Sequence, residues 1–233
     1  MFEPTKYELE KAHQKQKLVR NEVKCVGKFG MPLIQKQDID PYMIRFINFA
    51  DTKRNDVENA HKTVHFFTYD WLYNKVYDDY ENQLDVLKQY KAVLSPEFSI
   101  YTDMPIALQI YSTFKNRWCG AYWQKNGITV IPTICWGDER SFDFCFDGIE
   151  QGSIVAVSTY YMENLGEDFM QGYDRMLKII NPKAVICYDD PFPSMKGNVI
   201  SYLPTQYEWT NSLTWQELAR FKSEKGMRNI IKL

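Results

Sequence analysis

Short apolar runs alternate with helix-like segments through the middle of this chain, and this alternation constrains its fold more than any other feature. The strand-like runs lie at residues 64–70, 92–97, 128–136, 153–159 and 184–189, and weaker ones lie at 44–50 and 199–203. Parallel strands need long crossover connections, so the pattern predicts an α/β fold with a mostly parallel sheet and helical crossovers. Fewer strands are visible than the eight of a TIM-like barrel. A partial barrel, a complete barrel and an open sheet therefore all stay open.

Helix signals fill the spaces between these runs. Thr5 followed three residues later by Glu8 predicts a capped helix over residues 5–26. Pro105 before an apolar i, i+4 series, with Gly127 after it, predicts a helix over 106–125. Further helices are expected at 81–90, 141–148 and 167–180, and a last one is expected to begin at Thr214.

Charge divides the chain unevenly, although its net charge is only −2. The first 36 residues carry eight Lys or Arg against four Glu, and the remainder is acidic. We therefore predict a basic N-terminal helical arm at residues 1–29 and a single α/β domain at 30–233. A basic arm on an acidic body is typical of binding proteins, but a solvated surface helix has the same composition.

The cysteines predict the cellular compartment of the protein, and the histidines indicate whether it has a zinc site. Five cysteines without CxxC spacing favour reduced thiols, and no signal peptide or membrane-length apolar run is visible. We expect a cytoplasmic protein of a bacterial host cell, with no membrane association. Three histidines without HxxxH or HExxH spacing make a zinc site improbable, and Gly-rich phosphate loops are absent from the sequence.

Polar residues cluster where the predicted strands end. They are Asp70, Glu97, Ser99, Trp136, Ser158, Thr159, Tyr188 and Asp189. Because ligands bind at the carboxyl ends of parallel strands, Asp70, Glu97 and Asp189 are the candidate catalytic residues. Carboxylates there suit acid–base catalysis or, with water, a divalent cation. The alternative is that each is a helix cap or turn former.

Four other residues are candidates for binding a substrate. Arg117 lies in an otherwise apolar helix, where its planar fork suits a phosphate or carboxylate ligand, or a structural carboxylate partner. Trp136 ends a strand and suits stacking on a base. Ser99 follows the strand of Glu97, and Gln124 lies on a helix position adjoining Arg117.

The central block resembles a domain-of-unknown-function family found in bacteriophages, integrative elements and some bacterial chromosomes. The motifs that carry the resemblance are Ser95-Pro96-Glu97-Phe98-Ser99, Met104-Pro105, Arg117-Trp118, Gln124, Gly127, Val130-Ile131-Pro132-Thr133 and Trp136. The resemblance covers roughly residues 30–205. Family members often have Asp at the position of Glu97 and Asn at the position of Ser112, which weakens any role for Ser112. The resemblance implies a mobile-element setting and no particular activity.

Two functions follow from these residues. The first is a phage or mobile-element enzyme that acts on a nucleotide or nucleic acid through Asp70, Glu97 and Asp189, with Arg117 on the anion and Trp136 on a base. The second is a non-enzymatic protein that binds or inhibits a host defence complex, since the 16 tyrosines suit a contact surface. The sequence leaves the reaction, the metal and the oligomeric state open.

Overall fold

A computed structural model describes residues 4–160 and 166–203 of the chain. Its strands are β1 (Cys25–Val26), β2 (Met31–Pro32), β3 (Phe46–Asn48), β4 (Thr63–His65), β5 (Ala92–Leu94), β6 (Val130–Ile131), β7 (Ile154–Ser158), β8 (Ala184–Tyr188) and β9 (Val199–Tyr202). Its helices are α1 (Lys6–Val19), α2 (Asp70–Tyr73), α3 (Lys75–Asp78), α4 (Tyr80–Leu87), α5 (Ile106–Lys125) and α6 (Gly166–Ile180). Three short 3-10 helices lie at Pro41–Met43, Phe49–Asp51 and Glu139–Asp143.

Seven strands run parallel in sequential order, which confirms the predicted α/β class. Strands β3 to β6 form one ladder and β7 to β9 form another. A parallel bridge between Thr133 and Ala156 joins the two ladders, with hydrogen bonds of 2.8 and 2.9 Å on either side. Strands β1 and β2 form a separate, small antiparallel ribbon.

Both faces of the parallel strands are buried, which is why the strands read as continuous apolar runs. On one face, residues from successive strands form a single cluster, which we call the inner cluster. Its members on strands are Phe46, Leu94, Ile131, Ile154, Ala156, Ala184, Ile186, Tyr188, Ile200 and Tyr202. The alternate residues pack against helices α3 to α5 or against α6.

The two edges of this sheet approach each other through side chains. The rings of Phe46 on β3 and Tyr202 on β9 lie 4.6 Å apart, and Tyr42 donates a 2.9 Å hydrogen bond to Asn198. Within the described residues, no backbone ladder joins β3 to β9. Closure into a TIM-like barrel therefore stays a prediction.

For the N-terminal helix, the predicted start is correct and the predicted end is wrong. Thr5 and Glu8 form the predicted capping box. The predicted extent to residue 26 is wrong, because α1 ends at Val19 and Arg20 adopts a left-handed cap with φ 51°. Arg20 turns the chain there so that its guanidinium lies 4.2–4.5 Å from three aromatic ring centres.

The other helix predictions had mixed outcomes. The predicted bounds of α5 are confirmed, with Gly127 at φ +85° directly after its cap. In place of the helix expected at 141–148, the chain forms a 3-10 helix and a turn. The helix expected from Thr214 lies outside the described residues. None of the described helices is long and apolar enough to cross a membrane.

Candidate functional site

Asp70 and Glu97 meet at the carboxyl ends of two neighbouring parallel strands. Asp70 begins α2, five residues after β4, and Glu97 lies three residues after β5. Because β4 and β5 are parallel neighbours, these two residues lie at the same end of the sheet, where the strands have their carboxyl ends. The charge of Asp70 acts on the Glu97 carboxyl group, so the two groups are close enough to interact.

Asp70 is held by a network of donors. Ser99 donates twice, from its backbone N–H to Oδ2 at 3.1 Å and from its hydroxyl to Oδ1 at 2.8 Å. The Tyr73 hydroxyl lies 3.1 Å from Oδ1 and is also within hydrogen-bond reach of the Glu97 backbone carbonyl. These hydrogen bonds fix the orientation of the Asp70 carboxyl group.

Glu97 is the second carboxyl group of this cluster. Burial, followed by the nearby charge of Asp70, raises the pKa of Glu97 to about 8. This direction of shift favours the protonated form of Glu97 near neutral pH. The residue as a whole is only half-buried, so its surroundings still give access from solvent. A carboxyl group whose pKa is raised by burial beside a second carboxyl group is typical of sites where a carboxylic acid donates a proton.

Two further residues belong to this cluster, although the sequence did not single them out. Tyr73 follows Asp70 by three residues on one short helix, the spacing that places side chains together. Lys115 of α5 lies with its Nζ 3.9 Å from the ring centre of Phe98, between Glu97 and Ser99 in the chain. Burial lowers the Lys115 pKa, and the charge of Asp70 opposes that shift. Lys115 is therefore close enough to Asp70 for their charges to interact.

Asp189 lies at the same end of the sheet, directly after the carboxyl end of β8. The ring of Phe67, three residues before Asp70, packs 4.5 Å from the ring of Tyr188, which precedes Asp189. Asp189 has φ +80°, and its carboxylate accepts from the backbone N–H of Asp190 at 2.9 Å. Within the described residues, no hydrogen bond joins Asp189 to Asp70 or Glu97.

Arg117 is fully buried, and its donors are used inside the protein. Nε donates to the carbonyl of Asp147 at 3.0 Å, and Nη2 donates to that of Cys145 at 2.6 Å. Nη1 reaches the Thr133 carbonyl at 3.1 Å and Asn116 Oδ1 at 2.5 Å. The structure thus places Arg117 between backbone carbonyls, where sequence reasoning expected a ligand or a carboxylate.

Gln124 and Trp136 also contact protein groups. The Gln124 amide exchanges two 2.8 Å hydrogen bonds with the backbone of Gln35. It lies nine residues beyond Lys115 on α5, about 13 Å further along the helix axis. The Trp136 ring packs against Phe146 and Phe169. Of the remaining strand-end residues, Thr159 donates to the Asp190 carbonyl at 2.7 Å.

The packing of Trp136 gives a first prediction. A Cβ built on Gly172 of α6 would lie 2.2 Å from Trp136 Nε1, so the indole occupies the space above this glycine. We expect Gly172→Ala to lower the free energy of unfolding by about 1–3 kcal/mol through overpacking. An exposed helical glycine would instead gain up to about 1 kcal/mol from the same change. Urea denaturation measures the sign, and a stabilised variant would show that Trp136 moves freely.

Sequence comparison places this arrangement in a family. A family model described as a domain of unknown function, DUF4417, matches residues 23–207, which is most of the chain. The chain belongs to the DUF4417 family. The match includes Asp70, Glu97 and Asp189 and leaves α1 outside.

The curated relatives of this DUF4417 chain are phage proteins. The Gene 1 protein of Mycobacterium phage L5 is 41% identical over 163 residues, covering 69% of this chain and 71% of the phage protein. The Gene 1 protein of Mycobacterium phage D29 is 38% identical over 128 residues, covering 54% of this chain and 47% of the phage protein. No solved structure matches the chain. The resemblance to a phage-associated family is thus confirmed, and the activity of DUF4417 is not given by these names.

Proposed function

We propose that this chain is a phage or mobile-element enzyme that performs general acid–base chemistry on a nucleotide or nucleic acid. One observation carries the proposal: Asp70 and Glu97 meet at the carboxyl end of a parallel sheet, where Ser99 orients Asp70 through two hydrogen bonds and burial beside Asp70 raises the pKa of Glu97. The bacterial host cytoplasm is where such a protein would meet its substrate. The phage origin of the relatives supports the nucleic-acid part of the proposal.

The roles follow from the contacts. Asp70, oriented by Ser99 and Tyr73, takes a proton from the attacking group as general base. Glu97, protonated at neutral pH, donates a proton to the leaving group as general acid. Lys115 supplies a positive charge for a substrate anion, the role that the sequence assigned to Arg117.

Asp189, on the same edge, is the third carboxylate of the proposal. Its left-handed backbone is uncommon for a residue other than glycine, and such backbones concentrate at functional sites. Within the described residues, no group of three metal-ligating side chains is present. Carboxylates are nevertheless ligands of divalent cations, so assays with added Mg²⁺ and with a chelator belong in the test.

The proposal predicts that Asp70→Asn and Glu97→Gln each lower turnover by about 10²–10⁴-fold, the usual contribution of a positioned acid or base. The assay is a screen of nucleotides and of single- and double-stranded oligonucleotides for cleavage. Activity of the unsubstituted protein should also fall as the pH rises through about 8, because Glu97 then loses its proton.

Asp103→Asn is the matched control, since Asp103 is an exposed carboxylate in the same loop as Glu97. It should change turnover less than twofold while the site variants lose activity. Circular dichroism and melting of each variant separate lost chemistry from lost folding. Equal activity in Asp70→Asn, Glu97→Gln and the unsubstituted protein would remove the carboxylate pair from the mechanism.

A non-enzymatic interaction protein is the second candidate, and one surface favours it. The first half of α5 exposes Ile106, Leu108 and Tyr111, with exposed fractions of 39%, 51% and 47%. Leu108 and Tyr111 are three residues apart and lie on one side of the helix, and apolar and aromatic residues on one surface suit a protein contact. A phage-growth assay separates the candidates: Leu108→Asp should abolish the phenotype if binding matters, and Asp70→Asn should abolish it if catalysis matters.

A further inference from the structure

A gap separates the first and the last of the seven parallel strands, β3 and β9. Side chains join the two strands there: the rings of Phe46 and Tyr202 pack together, and the Tyr42 hydroxyl donates to the side chain of Asn198. Within the described residues, no backbone ladder crosses this gap. Strands β3 and β9 are therefore the two outer strands of the parallel order.

An apolar cavity of about 160 Å³ lies in this gap. Ile186, which lines it, belongs to β8 and to the inner cluster, so the cavity passes between the outer strands and reaches the inner face of the sheet. Ile200 of β9 belongs to the same cluster but is only partly buried, whereas Ile186 is 2% exposed. The other apolar lining residues are Pro41, Ile44, Phe46, Ile200 and Tyr202. Because a cavity of about 150 Å³ can hold a benzene-sized group, one branched aliphatic side chain fits here.

The arrangement of the strands defines what would fill the gap. Seven strands in sequential order are one fewer than the eight that close a β/α barrel. An eighth strand between β3 and β9 would pair with both of them, since neighbouring strands lie about 4.8 Å apart. A strand that joins a parallel sheet follows a crossover of a dozen residues or more, which is usually helical. The expected occupant is thus a helical segment followed by a short apolar run.

The sequence after β9 carries these signals in the required order. Thr214 followed three residues later by Glu217 is a capping pattern, and Gly226 is a helix stop signal. The apolar run Ile230-Ile231-Lys232-Leu233 follows. As a strand, this run would place Ile231 and Leu233 on one face and Lys232 on the other. Residues 204–226 also give a connection close in length to residues 159–183, which join β7 to β8 through α6.

We propose that residues 228–233 add an eighth parallel strand between β9 and β3, with the side chain of Ile231 in the cavity and residues 204–226 as the crossover. The apolar face of the run turns inward because the inner cluster that it meets is apolar. The inference goes beyond the proposed chemistry, since it concerns how the wall of the fold closes beneath the ends that carry Asp70 and Glu97. Closure would also cover two strand edges that could otherwise pair with another chain.

Hydrogen–deuterium exchange of the full chain tests the strand. Backbone amides that are paired in a stable strand exchange far more slowly than amides of an open chain. We expect the amides of residues 228–233 to exchange at least about 100-fold more slowly in the native protein than in the urea-unfolded chain. Mass spectrometry of peptides from this segment measures the rate. Exchange at the rate of the unfolded chain would overturn the proposal.

Two substitutions in the full chain test the position of Ile231. Ile231→Asp places a carboxylate in an apolar cavity and should lower the melting temperature by roughly 5–10 °C. Lys232→Gln is the matched control, because it changes the next residue on the opposite face, and it should shift melting by less than about 2 °C. An Ile231→Asp variant that melts like the unsubstituted protein would remove Ile231 from the cavity.

The place of the contact can be read from the same variant. Ile231→Asp should speed amide exchange in β3 and β9, which would flank the new strand, and leave β5 slow, since β5 is paired on both sides. Equal acceleration in all three strands would contradict a contact confined to the gap.

A strand from a second copy is the alternative occupant. Slow exchange of residues 228–233 in a monomer, independent of protein concentration, supports closure within one chain. Slow exchange that appears only at high concentration, together with a dimer in size-exclusion chromatography, would assign the strand to a second copy and overturn the proposal.

Discussion

Arg117→Ala is expected to lower the free energy of unfolding by about 4 kcal/mol or more, enough to unfold a domain of ordinary stability. The substitution removes a donor from four acceptors: the carbonyls of Thr133, Cys145 and Asp147, and the side-chain oxygen of Asn116. Thr133 and Asn116 keep a second donor, whereas the carbonyls of Cys145 and Asp147 lose their donor. Each of these two losses costs about 1–3 kcal/mol, and the lost side-chain volume adds a cavity. Chemical denaturation monitored by circular dichroism measures the loss.

Two variants accompany this experiment. Arg117→Lys keeps the charge but cannot reach carbonyls in several directions, so it should lose most of the same stability. Arg140→Ala removes an exposed arginine that pairs with Asp138 at 2.7 Å, and should cost less than about 1 kcal/mol. A stable Arg117→Ala variant with lost oligonucleotide binding would instead return Arg117 to the ligand role expected from the sequence.

Arg117 also shows what a sequence leaves undetermined. Its presence in a helix and its burial among aromatic residues can be read from the chain. Its acceptors belong to backbone segments 16, 28 and 30 residues away, around β6 and after it. Backbone carbonyls are the same for every residue type, so no residue pattern marks them as partners. The sequence therefore suggested a ligand or a carboxylate.

The fold itself was more predictable, because its signals are local. Apolar runs such as Ile154–Ser158 and Ala184–Tyr188 alternate with helical periods, and this period change indicates parallel β/α units. The capping box at Thr5 is likewise a short-range pattern. The end of α1 was missed because Arg20 adopts a left-handed backbone while its guanidinium packs on three aromatic rings, all of them far along the chain.

The candidate site was less predictable from the sequence than the fold and more predictable than the partners of Arg117. Asp70 and Glu97 come together because β4 and β5 are adjacent parallel strands, an arrangement the alternation implies. Ser99 was expected to contact substrate, but it orients Asp70 through two hydrogen bonds. Trp136 was expected to stack on a base. It packs against Phe169 of α6 and against Phe146, which lies in the turn after the 3-10 helix Glu139–Asp143. The local sequence around a strand-end tryptophan is the same whether the indole stacks on a ligand or packs in the core. Only the position of α6 distinguishes the two cases.

His65 provides the second large expected effect. The side chain is buried inside the inner cluster, with the rings of Phe46, Phe67 and Tyr188 5.1–5.8 Å away. Nδ1 accepts from the backbone N–H of Phe67 at 3.3 Å, and Nε2 has no partner among the described residues. Burial lowers the His65 pKa from its usual 6.5 to about 3.

The direction of the pH effect follows from this shift. The folded pKa lies below the unfolded value, so between pH 6.5 and 3 the unfolded chain binds one more proton at His65. The stability that neutral His65 contributes is complete above pH 6.5 and is lost as the pH falls toward 3. The loss should amount to about 1.4 kcal/mol per pH unit, or roughly 4–5 kcal/mol over the whole window.

Urea denaturation between pH 7 and pH 4 tests this with two variants. His65→Leu removes the titrating group while keeping an apolar side chain of similar size, so its stability should fall less steeply with decreasing pH, by about 1.4 kcal/mol per unit. His61→Gln removes an exposed histidine four residues earlier and should follow the unsubstituted protein. Parallel pH profiles for the unsubstituted protein and His65→Leu would mean that His65 titrates normally in the folded state. The interior around His65 would then admit water and a charge, contrary to the packing of Phe46, Phe67 and Tyr188 around it.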